Sequence, residues 1–320
     1  MFSEKNLNEL LKKIPSINFS ENNTIFSGNH FFQKYLNFYK INFTKKNESI
    51  SHNFGFFKFE NKKIVTHIWR PEKTAATVFL LHGYTDNVGL MGHAIKNFLD
   101  QNYAVVAFDL PGHGLSEGQR ADIDSFDEYV DALEKCLSLA SDVLPEPWIA
   151  AGQSTGGAIW LNYLGRHPQQ KIVATTVLFA PLIRIAGWSK LRFIFPVYKI
   201  FKNKRLREFR NNSSDKNFLK FVKEKDILQP KWLPFTWITA MQKWIKTFLN
   251  YPINQHSICV ISGGSEGTVD ANFNLKKIKE KFPNAKINIY DGVGHQVVNE
   301  SISYRRKMFS TVNKHLKQFI

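Results

Sequence analysis

The sequence predicts an α/β protein, with a mostly parallel central sheet flanked by helices and a helical cap inserted late in the chain. Three observations carry that expectation. Apolar runs of strand length alternate with amphipathic helical stretches from residue 54 to 182, the pattern of a sheet covered on both faces. The alternation stops from 183 to 250 and resumes from 251 to 320. With 43% hydrophobic and 14% aromatic residues in a chain of 320, there is enough apolar surface for one large core. The expected division is an N-terminal extension at 1–53, a core formed by 54–182 and 251–320, and a basic, aromatic-rich cap at 183–250.

Taken in order, Leu7, Leu10, Leu11 and Ile14 mark one face of a short helix, followed by an irregular Asn-rich stretch with aromatic anchors at Phe31, Phe32 and Tyr35. "FGFFKFENKKIVTHIWRP" reads as a hairpin turning at Glu60-Asn61. "AATVFLLHG" and "YAVVAFDLPG" are buried strands, and "NVGLMGHAIKNFLDQNY" between them has helical spacing. "SFDEYVDALEKCLSLA" opens on Ser125-x-x-Glu128, the spacing of a capping box. "PWIAAGQS", "TGGAIWLNYLGRH" and "KIVATTVLFAP" give strand, helix and strand. After the insertion, "HSICVISGG", "NLKKIKEKF", "AKINIYDG" and a helix through Met308, Val312, Leu316 and Phe319 complete the series.

Cys136 and Cys259 lie in apolar periodic segments and are expected to be reduced core thiols. The first residues lack the apolar region of a secretory signal, and no run approaches the ~18 apolar residues of a membrane span. The expected location is therefore cytoplasmic, with peripheral contact at the inner face of a membrane.

Two stretches carry Gly-x-Ser-x-Gly: Gly152-x-Ser154-x-Gly156 and Gly263-x-Ser265-x-Gly267. The bare pattern is weak. Its chemistry needs a strand, a sharp turn exposing the serine oxygen, and a helix whose N-terminus faces developing negative charge. Both serines follow a strand, but chain order separates them. The architecture runs serine, acid, histidine, and Ser265 leaves about thirty residues before His295, too few to place an acid on a strand of its own. Ser154 is thus the expected nucleophile. His295, in "DGVGHQVVNE", follows a strand on a glycine-flanked loop and is the expected base. The acid should lie after the preceding strand, where Glu266 is favoured and Asp270 is the alternative. Asp291 sits too close to His295 and is read as structural. His113 is expected to tighten a turn, and His82 to support its loop.

In this reading His295 takes the proton of Ser154 as it attacks an acyl carbonyl, Glu266 orients the imidazole, and the backbone amides of Tyr84 and Thr155 receive the oxyanion. Because that donor is backbone, Tyr84→Ala should be tolerated better than Ser154→Ala.

"LLHGYTDNVG", "AFDLPGHGLSEG", "GQSTGG" and "GVGHQVVNE", in that order, resemble the serine α/β-hydrolases of the monoacylglycerol lipase and lysophospholipase type. The resemblance covers residues 54–182 and 251–320. It implies an α/β-hydrolase fold with a lid, acting on carboxylic esters, often of single-chain lipids, without a cofactor. It carries over to Ser154, His295 and the amides of Tyr84 and Thr155. It departs at Glu266, where the family commonly has aspartate, which keeps Asp270 in play. The alternatives are a peptidase or amidase on the same scaffold, and a catalytically silent fold that binds a lipid or a protein.

The net charge is +16, and residues 183–250 hold sixteen Lys/Arg against four Asp/Glu. They also hold Trp188, Trp232, Trp237 and Trp244. Solvated lysines on a helical cap explain this combination, and so does a surface meeting anionic lipid, where each cation contributes about 1 kcal/mol and Trp favours the interface. "KIFKNKRLREFR" is basic enough for phosphate contacts, but no nucleic-acid module surrounds it, so no nucleic-acid partner is expected. No metal-ligand spacing or dinucleotide fingerprint is present.

Overall fold

A computed structural model describes residues 2–20, 28–45, 47 and 49–320. The Asn-rich stretch at 21–27 lies outside the described residues. Two helices, α1 (Glu4–Leu11) and α2 (His30–Tyr39), precede a hairpin of β1 (Ile50–Phe59) and β2 (Lys62–Pro71). The alternation then runs β3 (Ala76–Leu81), α3 (Gly92–Leu99), β4 (Tyr103–Phe108), α4 (Phe126–Ala140), β5 (Trp148–Gln153), α5 (Thr155–Arg166) and β6 (Thr175–Phe179). The inserted segment contributes α6 (Trp188–Phe201), β7 (Lys204–Leu206), α7 (Lys216–Glu224), β8 (Trp232–Pro234) and α8 (Phe235–Asn250). The chain closes with β9 (Ile258–Gly263), α9 (Ala271–Lys281), β10 (Lys286–Tyr290) and α10 (Ile302–Leu316).

Among the described residues, eight strands form one sheet in the order β1-β2-β4-β3-β5-β6-β9-β10. The β1–β2 and β2–β4 pairs are antiparallel and the remaining pairs parallel. The strands β3, β4, β5, β6 and β9 are buried along their whole length, as the continuous apolar runs require. Register brings their carboxyl ends level: Leu81 faces Gly152, Gln153 faces Phe179, and Tyr290 faces Gly263. Side chains placed just beyond those ends can therefore meet.

Two apolar layers cover the sheet. One includes Tyr129 and Leu133 of α4, Trp160 of α5, Trp244 and Phe248 of α8 and Ile278 of α9. The other includes Leu10, Tyr35 and Leu36 from α1 and α2, Ile95 and Phe98 of α3, and Met308 and Val312 of α10. The N-terminal helices are thus part of the core layer. On α1 it is Leu10 that is buried, while Leu11 is exposed. The inserted segment is likewise divided, because α8 packs into the α4/α5 layer, with Trp244 stacked parallel to Phe126 at 5.9 Å.

The capping box expected at α4 does not form. The Ser125 hydroxyl accepts from the amide of Asp127, and the Glu128 carboxylate is drawn instead to Lys62 of the hairpin. An ion pair to another element outcompetes the local motif. Both cysteines are buried, and burial pushes the Cys259 thiol up to about 12.

Candidate active site

Ser154 follows β5 directly and forms the N-cap of α5, with φ 52° and ψ −110°. Few L-residues adopt that conformation, and it carries a strain of about 1–3 kcal/mol that the surrounding structure must hold in place. Its amide donates to Phe179 O at 2.8 Å, and its carbonyl accepts from Ala158 and Leu182, both at 3.1 Å. The glycines explain how the turn closes. A Cβ on Gly156 would lie 2.3 Å from Leu81 O, so any side chain there drives α5 away from β3.

His295 lies beyond β10, and its Nε2 is 3.0 Å from Ser154 Oγ. Its Nδ1 is 2.6 Å from Glu266 Oε2, on the loop after β9. Ser154 and His295 are 7% and 5% exposed, and the Glu266 side chain 1%. The other Glu266 oxygen accepts from the amides of Thr268 at 2.6 Å and Val269 at 3.1 Å. Burial alone would raise the Glu266 pKa. The charge and hydrogen bond of His295, with the two amides, outweigh that and hold it below the usual glutamate range. The carboxylate therefore stays ionised, as an acceptor for Nδ1–H must.

Asp270 is placed elsewhere. One oxygen caps α9 through Phe273 N at 3.1 Å, and the other takes Arg184 Nε at 2.9 Å and Nη2 at 2.7 Å. Ser265 donates its amide to Val293 O, and no described contact joins it to Ser154.

The amides of Tyr84 and Thr155 flank Ser154, and neither has a hydrogen-bond partner among the described residues. Thr155 opens α5, so its free N–H is one of the orphan donors at a helix start. The Tyr84 ring is less dispensable than a backbone-only role implies. It stacks on Trp237 with 3.8 Å between centroids, and its hydroxyl donates to Ala121 O at 2.8 Å. Tyr84→Ala would remove packing that helps set the position of the amide, so it should cost some activity while still being tolerated better than Ser154→Ala.

The supporting loops account for the conspicuous sequence motifs. Asp109, at the end of β4, accepts from the amides of Val88 and Leu115, both at 2.7 Å. A Cβ on Gly114 would collide with that carboxylate at 2.1 Å, which explains the second glycine of "PGHG". His113 Nδ1 meets Pro111 O at 2.9 Å inside the turn. His82 Nε2 accepts from Leu110 N, and its Nδ1 meets Gly83 O. Burial lowers its pKa to about 3, so its 3.9 Å approach to Asp109 is not an ion pair.

Several positioning residues are not evident from the sequence. Gln153 Nε2 donates to His295 O at 2.7 Å. Buried Glu300 accepts from Gly294 N at 2.7 Å and from Ser214 N at 2.8 Å, tying the histidine loop to the inserted segment. Gln296 Nε2 reaches Asp86 at 3.1 Å. Asp86, Gln153, Gln296 and Glu300 fall within the stretches "LLHGYTDNVG", "GQSTGG" and "HQVVNE", but no spacing rule marks them out. Above Ser154 and His295 lies a cavity of about 180 Å³, walled by the inserted segment.

Residues 72–302 match the family described as "Serine aminopeptidase, S33" (Hydrolase_4). The chain is 31% identical over 123 residues to a monoacylglycerol lipase of Mycolicibacterium smegmatis, covering 38% of this chain and 43% of that one. It is 22% identical over 266 residues to phospholipase YtpA of Bacillus subtilis, covering 79% and 99%. The chain thus spans less than half the length of the mycobacterial relative and nearly all of the Bacillus one. Among solved structures, it resembles a soluble variant of Saccharomyces cerevisiae monoglyceride lipase in complex with a substrate analog, with a TM-score of 0.70 at 18% identity over 82% of this chain and 94% of that one. The chain adopts the α/β-hydrolase fold and belongs to the Hydrolase_4 family, the serine aminopeptidase, S33, family.

Proposed function

We propose that the protein is a serine carboxylic-ester hydrolase acting on single-chain lipid esters, lysophospholipid or monoacylglycerol. The observation that carries this reading is the continuous relay Glu266 Oε2, His295, Ser154 Oγ at 2.6 and 3.0 Å, beside two amides without a partner among the described residues. Ser154 attacks the acyl carbonyl while His295 Nε2 accepts its proton. The tetrahedral oxyanion is met by the amides of Tyr84 and Thr155. Collapse expels the alcohol, protonated by His295, and water then releases the acid by the same steps in reverse. Labelling with a fluorophosphonate probe tests the machinery before a substrate is chosen. One adduct on Ser154, located by mass spectrometry, is the expected result. No adduct on folded protein would favour a silent binding protein.

Peptide-bond hydrolysis is the second reading, prompted by the family's description. An aminopeptidase needs a carboxylate to hold the free amino terminus. Among the described residues two carboxylates line the cavity; Asp86 is hydrogen-bonded to Gln296, and Glu208 is exposed and outnumbered by Arg205, Arg207 and Arg210 in the lining. That lining favours esters. Comparing monoacylglycerol with aminoacyl-anilide turnover separates the two, and exclusive anilide cleavage would reverse the ranking.

We also propose peripheral contact with an anionic membrane through α6. Among the described residues, no helix is long and apolar enough to cross a membrane. Yet α6 turns Phe193, Val197, Ile200 and Phe201 outward, with exposures of 69%, 58%, 76% and 80%. Trp188 and Phe195 point inward. Lys190, Arg192 and Lys199 of α6, with Lys202 and Lys204 just after it, are also exposed. The protein should co-sediment with phosphatidylglycerol vesicles and not with phosphatidylcholine, and high salt should release it. Replacing Ile200 and Phe201 together by Ser should weaken binding at least tenfold, since burying each side chain contributes about 1.5–3 kcal/mol. Unchanged sedimentation of that variant would remove α6 as the contact.

A further inference from the structure

The lining of the cavity above Ser154 is of two kinds. Part is apolar, with Leu182, Leu219, Val222 and Ile238. Part is cationic, with Arg205, Arg207 and Arg210 within a run of six residues. The strand β7 produces this arrangement. It pairs antiparallel with β8, and Arg207 continues the ladder through its amide to Lys231 O at 3.0 Å. Alternation along the strand sends Arg205 and Arg207 into the cavity, and Lys204 and Leu206 to the other face. On that face Lys204 sits 5.0 Å from the Trp232 ring and Leu206 is 62% exposed.

The chemistry of the two faces differs as well. Outward cations in this segment are mostly lysines, whereas the three facing the cavity are arginines. Arginine presents a rigid planar fork that matches phosphate and carboxylate oxygens in pairs, while lysine is a hydrated point charge.

No described carboxylate forms an ion pair with the cavity arginines. Among the described residues, Arg205 and Arg207 have no hydrogen bond from their guanidinium groups and no ion pair, and Arg210 reaches only Gly267 O at 3.3 Å. Burial lowers the Arg207 pKa, opposed by the more distant charges of Asp86 and Asp226. Both of those carboxylates are engaged, Asp86 by Gln296 and Asp226 by Tyr39, by Gln229 at 2.7 Å and by Leu228 N at 3.0 Å. Glu208 also lines the cavity, exposed and without an ion pair. The charges of Arg205 and Arg207 act on the phenol of Tyr84, whose amide flanks Ser154. A partly buried guanidinium without a partner is costly, and an anion brought by the substrate would satisfy it.

We propose that Arg207, supported by Arg205 and Arg210, is an anion subsite that receives the phosphate of an acyl glycerophosphate or lysophospholipid, so that the site selects phosphate-bearing single-chain esters over neutral monoacylglycerols. This rests on the ester-hydrolase reading and adds the head group to it. The acyl chain meets the apolar part of the lining and the phosphate the arginines, with the scissile ester at Ser154.

Water-soluble hexanoyl substrates test this without vesicles, so attraction of the protein to a charged surface cannot contribute. The readout is the ratio of kcat/KM for hexanoyl glycerol 3-phosphate to kcat/KM for hexanoyl glycerol. Wild type should favour the phosphate ester at least tenfold. Arg207→Gln should lower the ratio tenfold to about a hundredfold, the loss of a charge-assisted contact. Arg207→Lys should keep part of it, and Arg205→Gln, at an exposed position, should lower it by a smaller factor. A ratio near one in wild type, or one that none of these variants moves, overturns the subsite. If both esters are turned over in that case, the hydrolase reading survives; if neither they nor an activated p-nitrophenyl ester is cleaved, that reading fails first. Inorganic phosphate serves as a further probe. Competitive inhibition that weakens in Arg207→Gln supports the subsite, whereas inhibition by free phosphate without preference for the phosphate ester would assign the arginines to the free ion and overturn the head-group role.

Discussion

Ser154→Ala is expected to lower kcat/KM for any ester on the order of 10⁵-fold while leaving the fold intact. The hydroxyl is the one atom that His295 Nε2 can deprotonate at 3.0 Å, and no other described side-chain hydroxyl contacts that nitrogen. The loss should not deepen in a Ser154→Ala, His295→Ala double variant, because groups acting as one unit lose nearly everything at the first deletion. What remains should be the ~10³-fold or greater acceleration over water supplied by binding and by the amides of Tyr84 and Thr155. Alanine keeps the strained backbone of the turn and fills the same space, so the thermal midpoint should move by no more than a few degrees. Steady-state kinetics and thermal denaturation on the same preparation check both halves. Retention of even 1% activity in Ser154→Ala would send the nucleophile elsewhere, with Ser265 the first to examine.

The position of that serine was legible for a physical reason. The nucleophile turn demands small residues at fixed offsets, and Gly152 and Gly156 are small because backbone passes within contact distance of where a Cβ would stand. Constraints of this kind are local and leave a mark in sequence, and because Gly263-x-Ser265-x-Gly267 carries the same mark, it was the order of serine, acid and histidine that favoured Ser154. The strands were legible likewise, since burial on both faces makes each a continuous apolar run. The sequence favoured Glu266 but left Asp270 open, because both lie on one loop and differ mainly in what reaches them. Asp270 is claimed by Arg184, 86 residues away in the chain, and sequence spacing says nothing about that partner. The same holds for Glu128, which gave up a local cap for Lys62, and for Glu300, which holds Gly294 and Ser214 at once. The cavity arginines illustrate a further limit. Their excess charge is visible in composition, but a three-residue strand decides which cations face inward. Partners that meet only through the fold leave no periodic trace.

The sharpest division among the carboxylates should come from Glu266→Gln set beside Asp270→Asn. In the native loop the amides of Thr268 and Val269 both donate to Glu266 Oε1. A glutamine can satisfy them only by turning its carbonyl oxygen that way. Its NH2 then faces His295 Nδ1, which must become an acceptor, and the ring proton moves to Nε2. That is the tautomer that cannot take a proton from Ser154, so kcat should fall about 10⁴-fold. Glu266→Asp keeps an acceptor and should recover much of the loss, limited by one missing methylene. Asp270→Asn retains the cap on α9 and loses the pair with Arg184, a partly exposed contact worth at most about 1 kcal/mol, so its kcat should stay within about threefold of wild type. A stability comparison against pH adds a test that does not depend on turnover. The Glu266 pKa is lower in the folded protein than in the unfolded chain, so the folded state binds fewer protons in acid. Its stabilisation is complete above the ordinary glutamate value and is lost as pH falls through the depressed one. The stability gap between wild type and Glu266→Gln should therefore narrow with acidification, whereas Asp270→Asn should leave the His295 tautomer, and with it kcat, largely alone. If instead Asp270→Asn abolishes turnover and Glu266→Gln does not, the loop must rearrange to bring Asp270 to His295.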